Sequence, residues 1–312
     1  MSHKIAALFP GQGAQTIGMA QDFYQHSPAV KQVLEATGAV LPGLLDIMWQ
    51  GPEDTLTLTT NQQPALLAAS AAALAAYREA SRASFDAVAG HSLGEFSAYY
   101  AAGSLPLDAA LTLVRRRAEH MQQAVPAGTG SMAAVLKVSA EEVAAVCQST
   151  PGVVEVANYN SPQQTVISGE VDAVNTASET LKAGKARVIP LAVSAPFHSS
   201  LMEPAAEAFY ADLEATTFAP LTVPLVSNID AQPITDTTNS VALLTAQVTG
   251  SVRWTDTINR LVAGGVTAFI ELGSGAVLTG LVKRIVPKGS PVTAVAVSDM
   301  ASLQKALETL AA

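Results

Sequence analysis

The 312-residue sequence is poor in several residue types, and each shortage narrows what the protein can be. It has a single cysteine, Cys147, so no intramolecular disulfide is possible, and the helix-like run around it predicts a structural thiol. Aromatic residues make up only 5%, so Ala, Val and Leu must fill most of the core that an apolar content of 49% predicts. Charged residues make up only 14%, which argues against a disordered chain.

Basic residues are also scarce, with 17 Lys and Arg against 26 Asp and Glu, and the net charge of −9 argues against a nucleic-acid partner. An acidic partner on a local basic patch stays open. The longest apolar stretch, 64–77, is mostly alanine and is shorter than the roughly 20 residues of a membrane span, so we expect a buried helix there. The first residues lack the pattern of a signal peptide. We therefore expect a soluble, cytoplasmic protein without a membrane partner.

Short apolar runs and helix-like runs alternate along most of the chain. This alternation predicts an α/β fold with a mostly parallel sheet. We expect strands at 4–9, 85–90, 223–228 and 267–272, and helices at 16–25, 64–80, 93–102, 106–123, 201–215 and 251–263.

The pattern changes near Gly128, where a strand, a helix, two strands, a helix and a strand follow one another. This is the ferredoxin-like βαββαβ order. The predicted elements are 131–138, 139–149, 153–160, 164–169, 171–183 and 187–193. We therefore expect a small domain at 130–193, inserted in a large domain made of 1–129 and 194–312.

The stretch 88-VAGHSLGEFSA-98 places Ser92 between Gly90 and Gly94, after a predicted strand and before a predicted helix. A sharp strand-to-helix turn crowds the backbone, so side chains two residues before and after the serine would collide. The start of the helix offers free N–H groups that suit a developing oxyanion. The context favours a nucleophile, and the alternative is a tight turn with an ordinary serine.

A serine nucleophile needs a base, and elimination among the five histidines favours His198 in 194-SAPFHSSLM-202. No acid stands at an obvious strand end between Ser92 and His198. The group that orients the histidine is then either a main-chain carbonyl or a later acid such as Glu271, which counts against a plain esterase. The other histidines lie near a terminus, at a helix end, beside the serine and on a helix: His3, His26, His91 and His120.

Three consecutive arginines, Arg115, Arg116 and Arg117, form the densest basic cluster. Three successive helix positions span roughly 200°, so one of these side chains should point inward. A buried guanidinium needs an anion and binds a carboxylate through two parallel hydrogen bonds. This suggests an acyl substrate that carries its own carboxylate.

Six blocks of sequence together resemble a known family, the malonyl-CoA:acyl carrier protein transacylases of bacterial type II fatty acid synthesis. The same acyltransferase family occurs in polyketide synthases. The matching blocks run in order over nearly the whole chain: 9-FPGQGAQ-15, 90-GHSLGE-95, 113-LVRRRAEHMQ-122, 160-NSPQQTVISG-169, 195-APFHSSLM-202 and 247-QVTGSVRW-254.

The resemblance implies an α/β-hydrolase-like large domain with an inserted ferredoxin-like domain. It implies that Ser92 is the nucleophile, that His198 is the general base and that Arg117 binds the malonyl carboxylate. It further implies an oxyanion hole made of the main-chain N–H groups of Gln12 and Leu93, with Gln12 also contacting substrate.

The same resemblance implies that the main-chain carbonyl of Gln247 orients the histidine. It implies malonyl-CoA and an acidic acyl carrier protein as partners. We expect no metal or organic cofactor and a monomer. Leu93 and Phe197 both resemble malonyl-selective members rather than methylmalonyl-selective ones, and a bulky Phe197 would fill the space that an α-methyl group needs.

Several alternatives stay open from the sequence. The pathway is fatty acid or polyketide synthesis, and two rival functions are a serine hydrolase of esters or thioesters and a non-catalytic partner module of a synthase. The candidate docking residues for the carrier are Lys182, Lys185, Arg187, Lys283 and Arg284.

Overall fold

A computed structural model describes residues 3–81, 83–126, 128–193 and 195–311. Across these residues the chain forms ten strands and fourteen α-helices in a layered α/β arrangement. None of the helices in the described ranges has the length and apolar character that crossing a membrane requires. The predicted boundary at Ser194 lies outside the described residues.

The strands alternate with helices along most of the chain. The strands are β1 Ile5–Phe9, β2 Ala87–Gly90, β3 Gly130–Leu136, β4 Val154–Ser161, β5 Gln164–Glu170, β6 Arg187–Pro190, β7 Leu225–Val226, β8 Pro233–Ile234, β9 Ala268–Leu272 and β10 Thr293–Val297. The helices are α1 Gln21–His26, α2 Pro28–Val40, α3 Leu44–Gln50, α4 Glu53–Thr57, α5 Thr59–Ala80, α6 Gly94–Ala101, α7 Leu107–Gln123, α8 Ala140–Ser149, α9 Val171–Ala183, α10 Glu203–Glu214, α11 Ser240–Thr249, α12 Trp254–Ala263, α13 Val277–Ile285 and α14 Met300–Ala311.

The main sheet has six strands in the order β10-β9-β1-β2-β7-β8, and every pair except β7–β8 is parallel. Both faces are covered, as parallel sheets require. The central strand β1 shows this directly, because Ala6 and Leu8 pack into one apolar cluster while Ala7 and Phe9 pack into the other. This confirms the expected α/β class with a mostly parallel sheet.

The register of the central strands brings three loops to one edge. Phe9 at the end of β1 lies opposite Gly90 at the end of β2, and Ala89 lies opposite Val226 at the end of β7. The carboxyl ends of these strands therefore meet, and the residues that follow them share one edge of the sheet. Ligands of open α/β sheets bind at such an edge.

A second sheet of four antiparallel strands, in the order β4-β5-β3-β6, is formed entirely by residues 130–190. Helices α8 and α9 share an apolar cluster with it. The order β3, α8, β4, β5, α9, β6 is the one expected from the sequence. The division of the chain into two domains stays a prediction.

Helix α5 begins at Thr59, five residues earlier than expected, and contains Pro64. Proline has no N–H to offer the carbonyl four residues earlier, which here belongs to Thr60. Arg115 replaces that donor, because its guanidinium Nη1 donates to the Thr60 oxygen at 3.1 Å. A side chain from another helix thus compensates for the proline.

Other differences from the expected elements have local causes. The predicted helix 16–25 begins only at Gln21, because Gly18 and Ala20 have left-handed backbone conformations, with φ of 87° and 62°. The helix expected from 251 begins at Trp254, since Val252 forms a bridge with Asn158 of β4. Several elements of the structure were not expected from the sequence: α2, α3, α4, α11, α13, β8, β10 and α14.

We expect Gly94→Ala to lower the free energy of unfolding by about 1–3 kcal/mol or more, the range of an overpacked core site. A Cβ at this position would overlap the main-chain oxygen of Phe9, which belongs to a central strand and cannot move aside. Chemical denaturation measures the change.

The matched control is Gly280→Ala in α13, where a Cβ would meet no atom. This variant should keep or raise stability by about 0.4–1 kcal/mol. Equal stability of the two variants would show that the approach of residue 94 to β1 is not a constraint.

Candidate active site

Ser92 occupies a strained turn between β2 and α6, with a left-handed φ of 54°. A Cβ on Gly90 would overlap the main chain of Gly94, and a Cβ on Gly94 would overlap that of Phe9. Glycine is therefore required at both positions, for the reason inferred from the sequence. Strain of this kind costs on the order of 1–3 kcal/mol and persists where the surroundings hold it.

Asn228 holds this turn from the neighbouring strand end. Its Oδ1 accepts from the N–H of Ser92 at 2.7 Å, and its Nδ2 donates to the oxygen of Gly90 at 2.7 Å. The side chain is fully buried, so these contacts are not exchanged with water. Asn228 follows β7, whose register places it beside the turn.

His198 lies next to the serine, with 2.7 Å between its Nε2 and Ser92 Oγ. Its Nδ1 lies 2.9 Å from the main-chain oxygen of Gln247 and 3.0 Å from that of Gly250. Carbonyl oxygens only accept, so Nδ1 carries the proton of the neutral ring. Nε2 is then free to accept from the serine hydroxyl.

Glu271 does not take the place of these carbonyls. Its carboxylate accepts from the N–H groups of Leu278 and Thr279 at 3.0 and 2.7 Å, at the start of α13. Of the two groups considered for orienting the histidine, the structure therefore places the main-chain carbonyl, not the acid, against the ring.

The surroundings keep His198 uncharged. Burial lowers its pKa to about 3, and the nearby charges of Arg117 and His91 add to that shift. The neutral ring is the form that can take a proton from a hydroxyl. A base of this kind remains ready at any pH near neutrality.

Arg117 is the arginine that points inward, and its side chain is fully buried. Nη1 donates to Gln63 Oε1 at 2.9 Å, and Nη2 donates to Ser92 Oγ at 3.1 Å and to Gln247 Oε1 at 2.9 Å. Burial lowers its pKa to about 10, so the guanidinium is still charged at neutral pH. Its neighbours Arg115 and Arg116 pair instead with Glu119 on the partly exposed side of the helix.

The charge on Arg117 has no carboxylate within ion-pair distance among the described residues. Its Nε–H also lacks an acceptor in the described parts of the chain. Isolated buried cations are costly, so a site that keeps one is built to receive an anion. That anion would lie beside Ser92 Oγ.

The loop after β1 packs against the serine turn. Gly94 touches the main chain of Phe9 and Pro10, and Gly11 approaches the main-chain oxygen of His91. Gln12 and Leu93 are therefore on adjoining segments at the same edge, and Leu93 immediately precedes α6. The side chain of Gln12 donates to Gln62 Oε1.

The remaining sequence candidates lie around this centre. Phe197 is buried in the main core, directly before His198, which has a left-handed φ of 58°. His91 bonds to Asn160 at 2.8 Å, outside the reacting group. Cys147 is buried, and burial raises its pKa to about 11.

A cleft of about 620 Å³ is lined by five cations and, among its described lining residues, no acid. It contains three of the five candidate docking residues, Arg187, Lys283 and Arg284. The other two cations are Lys137 and Lys288. Lys182 lies elsewhere and pairs with Glu179 at 2.9 Å.

Sequence reasoning missed three residues that contact the centre: Gln63, Glu95 and Asn228. Asn228 had a usable signal, because it ends the predicted strand 223–228 beside the serine strand. Glu95 stands within the motif itself, three residues after Ser92. Gln63 had no local signal, since only the packing of α5 on α7 brings it to Arg117.

The lowered pKa of His198 predicts how the reactivity of Ser92 depends on pH. Labelling by a fluorophosphonate probe should stay nearly constant between pH 7.5 and 5.5, because His198 gains its proton only near pH 3. A base with the ordinary pKa of 6.5 would lose about tenfold over that interval. Intact-protein mass spectrometry gives the rates.

His198→Ala should label slowly at every pH, which shows that the probe reports the histidine. A tenfold fall for the unchanged protein would contradict the buried, neutral ring.

The comparisons with known proteins agree with this geometry. The model of the acyl transferase domain family matches residues 7–309. A malonyl CoA-acyl carrier protein transacylase from Bacillus subtilis (strain 168) is 44% identical over 312 residues, which cover 98% of this chain and 97% of that protein. The corresponding protein of Escherichia coli (strain K12) is 40% identical over 309 residues, with 98% and 99% covered.

Solved structures give the same result. An acyl-carrier-protein-S-malonyltransferase from Bartonella henselae is 41% identical with a TM-score of 0.94, and each chain is covered completely. A malonyl-transacylase in complex with a type II PKS acyl-carrier protein is 40% identical with a TM-score of 0.94, and 98% of this chain and 99% of that one are covered. This chain therefore belongs to the acyl transferase family, among the malonyl CoA-acyl carrier protein transacylases.

Proposed function

We propose that this chain transfers the malonyl group of malonyl-CoA to the phosphopantetheine thiol of an acyl carrier protein, through a malonyl-serine at Ser92. The observation that carries the proposal is the buried guanidinium of Arg117, 3.1 Å from an Oγ that is hydrogen-bonded to His198. The choice of malonyl as the acyl group and of an acyl carrier protein as the acceptor rests on the names of the relatives. The carrier belongs to fatty acid or polyketide synthesis.

In the first half-reaction, His198 Nε2 takes the proton of Ser92 Oγ as that oxygen attacks the thioester carbon. The negative charge moves to the carbonyl oxygen, where the N–H groups of Gln12 and Leu93 stabilise it. The carbon–sulfur bond then breaks, and the sulfur leaves as CoA thiol with the proton from His198. An acyl ester on Ser92 remains.

The second half-reaction reverses these roles. His198 takes the proton of the phosphopantetheine thiol, and the sulfur attacks the ester carbon. The same N–H groups hold the second oxyanion. When the ester bond breaks, Ser92 regains the proton from His198, and malonyl leaves on the carrier. Two substrates that share one covalent intermediate give ping-pong kinetics.

Arg117 determines which acyl group is held as an ester on Ser92. The malonyl carboxylate accepts from the Arg117 Nε–H, which has no acceptor among the described residues, and from Nη2 beside Ser92 Oγ. The bonds to Gln63 and Gln247 keep the guanidinium in place, and this fixes the ester for attack by a thiol. A hydrolase would need an activated water instead and would gain nothing from a buried cation beside its nucleophile. The arginine thus favours transfer over hydrolysis.

Selectivity within carboxylated acyl groups would come from Phe197. Its buried ring would fill the space of an α-methyl group, so malonyl should be preferred over methylmalonyl. A single methyl group changes binding in an apolar pocket by roughly 1–3 kcal/mol, so the preference is finite.

The two sheets would belong to different domains. Residues 130–193 would form the inserted domain, with the reacting residues on the larger one. The sheets meet near the site, where Tyr159 donates its N–H to the oxygen of Val252 at 2.9 Å and His91 bonds to Asn160.

Arg117→Ala should lower the rate of malonyl loading by about 10- to 100-fold, the effect of losing a hydrogen bond to a charged group. Loading from acetyl-CoA, which has no carboxylate, should change little. The measurement is the mass of the protein after a short exposure to each thioester. The adduct should be on Ser92.

The control is Arg116→Ala, which removes a partly exposed cation of the same helix. It should load both acyl groups at the unchanged rate. No adduct on Ser92 in the unchanged protein, or turnover with water alone, would contradict the proposed transfer.

The double variant Lys283→Glu, Arg284→Glu should weaken transfer to an acidic carrier protein but spare loading from CoA, because it reverses two charges of the basic cleft. We expect the KM for the carrier to rise about tenfold at moderate salt. Lys305→Glu in α14, an exposed cation outside the cleft and not among the docking candidates, is the control. Equal effects on both half-reactions would reject docking at this surface.

A further inference from the structure

Gln247 connects all the groups of the site. Its main-chain oxygen accepts from His198 Nδ1, and its side-chain Oε1 accepts from Arg117. Its Nε2 donates to the main-chain oxygen of Ser92 at 3.0 Å and to Glu95 Oε2 at 2.5 Å. The residue is fully buried, so the direction of its amide decides which atom Arg117 meets.

Glu95 has no part in the proposed chemistry, although it is 1% exposed in the centre of the site. It follows the serine turn in α6, and its N–H donates to the same Ser92 oxygen at 3.0 Å. Burial raises the pKa of its carboxyl to about 8, against the lowering effects of the Gln247 hydrogen bond and the Arg117 charge. Burying a carboxyl at this depth costs free energy, and a hydrogen bond to a buried partner offsets part of that cost.

The chemistry of the amide explains that use. An amide has an accepting oxygen and a donating nitrogen, which exchange places when the group turns by 180°. Guanidinium groups only donate, so Arg117 requires the oxygen of Gln247. The oxygen of Glu95 accepts on the opposite side, so it holds the nitrogen of Gln247 away from Arg117.

We infer that Glu95 is a positioning residue for malonyl transfer: its carboxyl oxygen fixes the Gln247 amide, and this amide aims the Arg117 guanidinium at the acyl group on Ser92. The inference rests on the proposed function. Glu95 acts through the position of its oxygen rather than through charge. The acyl carboxylate then meets a guanidinium that is already oriented.

Three variants at one position separate the oxygen from the charge. Glu95→Gln keeps an accepting oxygen at the same reach and removes the ionisable group. Glu95→Leu removes both, and Glu95→Asp keeps the ionisable carboxyl but shortens the side chain by one methylene. For each variant we would measure kcat/KM for loading of malonyl from malonyl-CoA and of acetyl from acetyl-CoA.

The readout is the ratio of the malonyl to the acetyl value. Partial unfolding lowers both values together and leaves the ratio unchanged, so a merely structural role does not move it. Glu95→Gln should stay within about threefold of the unchanged protein. Glu95→Leu and Glu95→Asp should lose at least tenfold in the ratio, which is about 1.4 kcal/mol of discrimination.

Unchanged ratios in Glu95→Leu and Glu95→Asp would overturn the inference. So would a Glu95→Gln ratio as low as that of Glu95→Leu, because charge would then be the cause. If Glu95→Leu does not fold, the pair Glu95→Gln and Glu95→Asp decides alone. The unchanged protein tests the proposed function separately, since it must form the malonyl-serine before any ratio has meaning.

Discussion

The site depends on one costly arrangement, a charged guanidinium buried beside the serine, which forms no ion pair with a carboxylate of the described residues. Amide and hydroxyl oxygens compensate part of that cost, from Gln63, Gln247 and Ser92. The ring of Phe96, 5.8 Å from the guanidinium carbon, adds a weaker contact. These partners hold the charge in place without neutralising it, so the site remains open to an anionic acyl group.

The same charge shapes the chemistry around it. It helps to keep His198 neutral and therefore basic, and it favours an ionised carboxylate beside Ser92 Oγ. The backbone supports this centre from three strand ends. Main chains approach so closely at Gly90 and Gly94 that a methyl group cannot enter, and Asn228 ties the turn to β7. Rigid strands thus fix the direction of the serine oxygen.

Much of this centre could be predicted from the sequence, because its signals are local. The glycines on both sides of Ser92 predict a crowded turn. Three consecutive arginines on a helix predict that one of their side chains points inward. The choice of Arg117, and the main-chain carbonyl of Gln247 as the partner of His198, came from family resemblance instead. In the structure, Arg117 Nη2 lies 3.1 Å from Ser92 Oγ and the main-chain oxygen of Gln247 lies 2.9 Å from His198 Nδ1, and the roles of both residues stay predictions.

The sequence failed where tertiary contacts decide. Gln63 reaches Arg117 only because α5 packs on α7, and α5 itself starts before its proline because Arg115 supplies the missing donor. Glu95 was overlooked because a carboxyl after a serine motif looks like an ordinary residue of the first helical turn. Its burial against Gln247 is visible only in three dimensions.

The most direct test is a crystal structure of the protein with malonyl bound to Ser92. The account predicts that both carboxylate oxygens lie within about 3 Å of the Arg117 guanidinium, the distance of charge-assisted hydrogen bonds. The ester carbonyl oxygen should point to the N–H groups of Gln12 and Leu93. A carboxylate in solvent or on another cation would contradict the account.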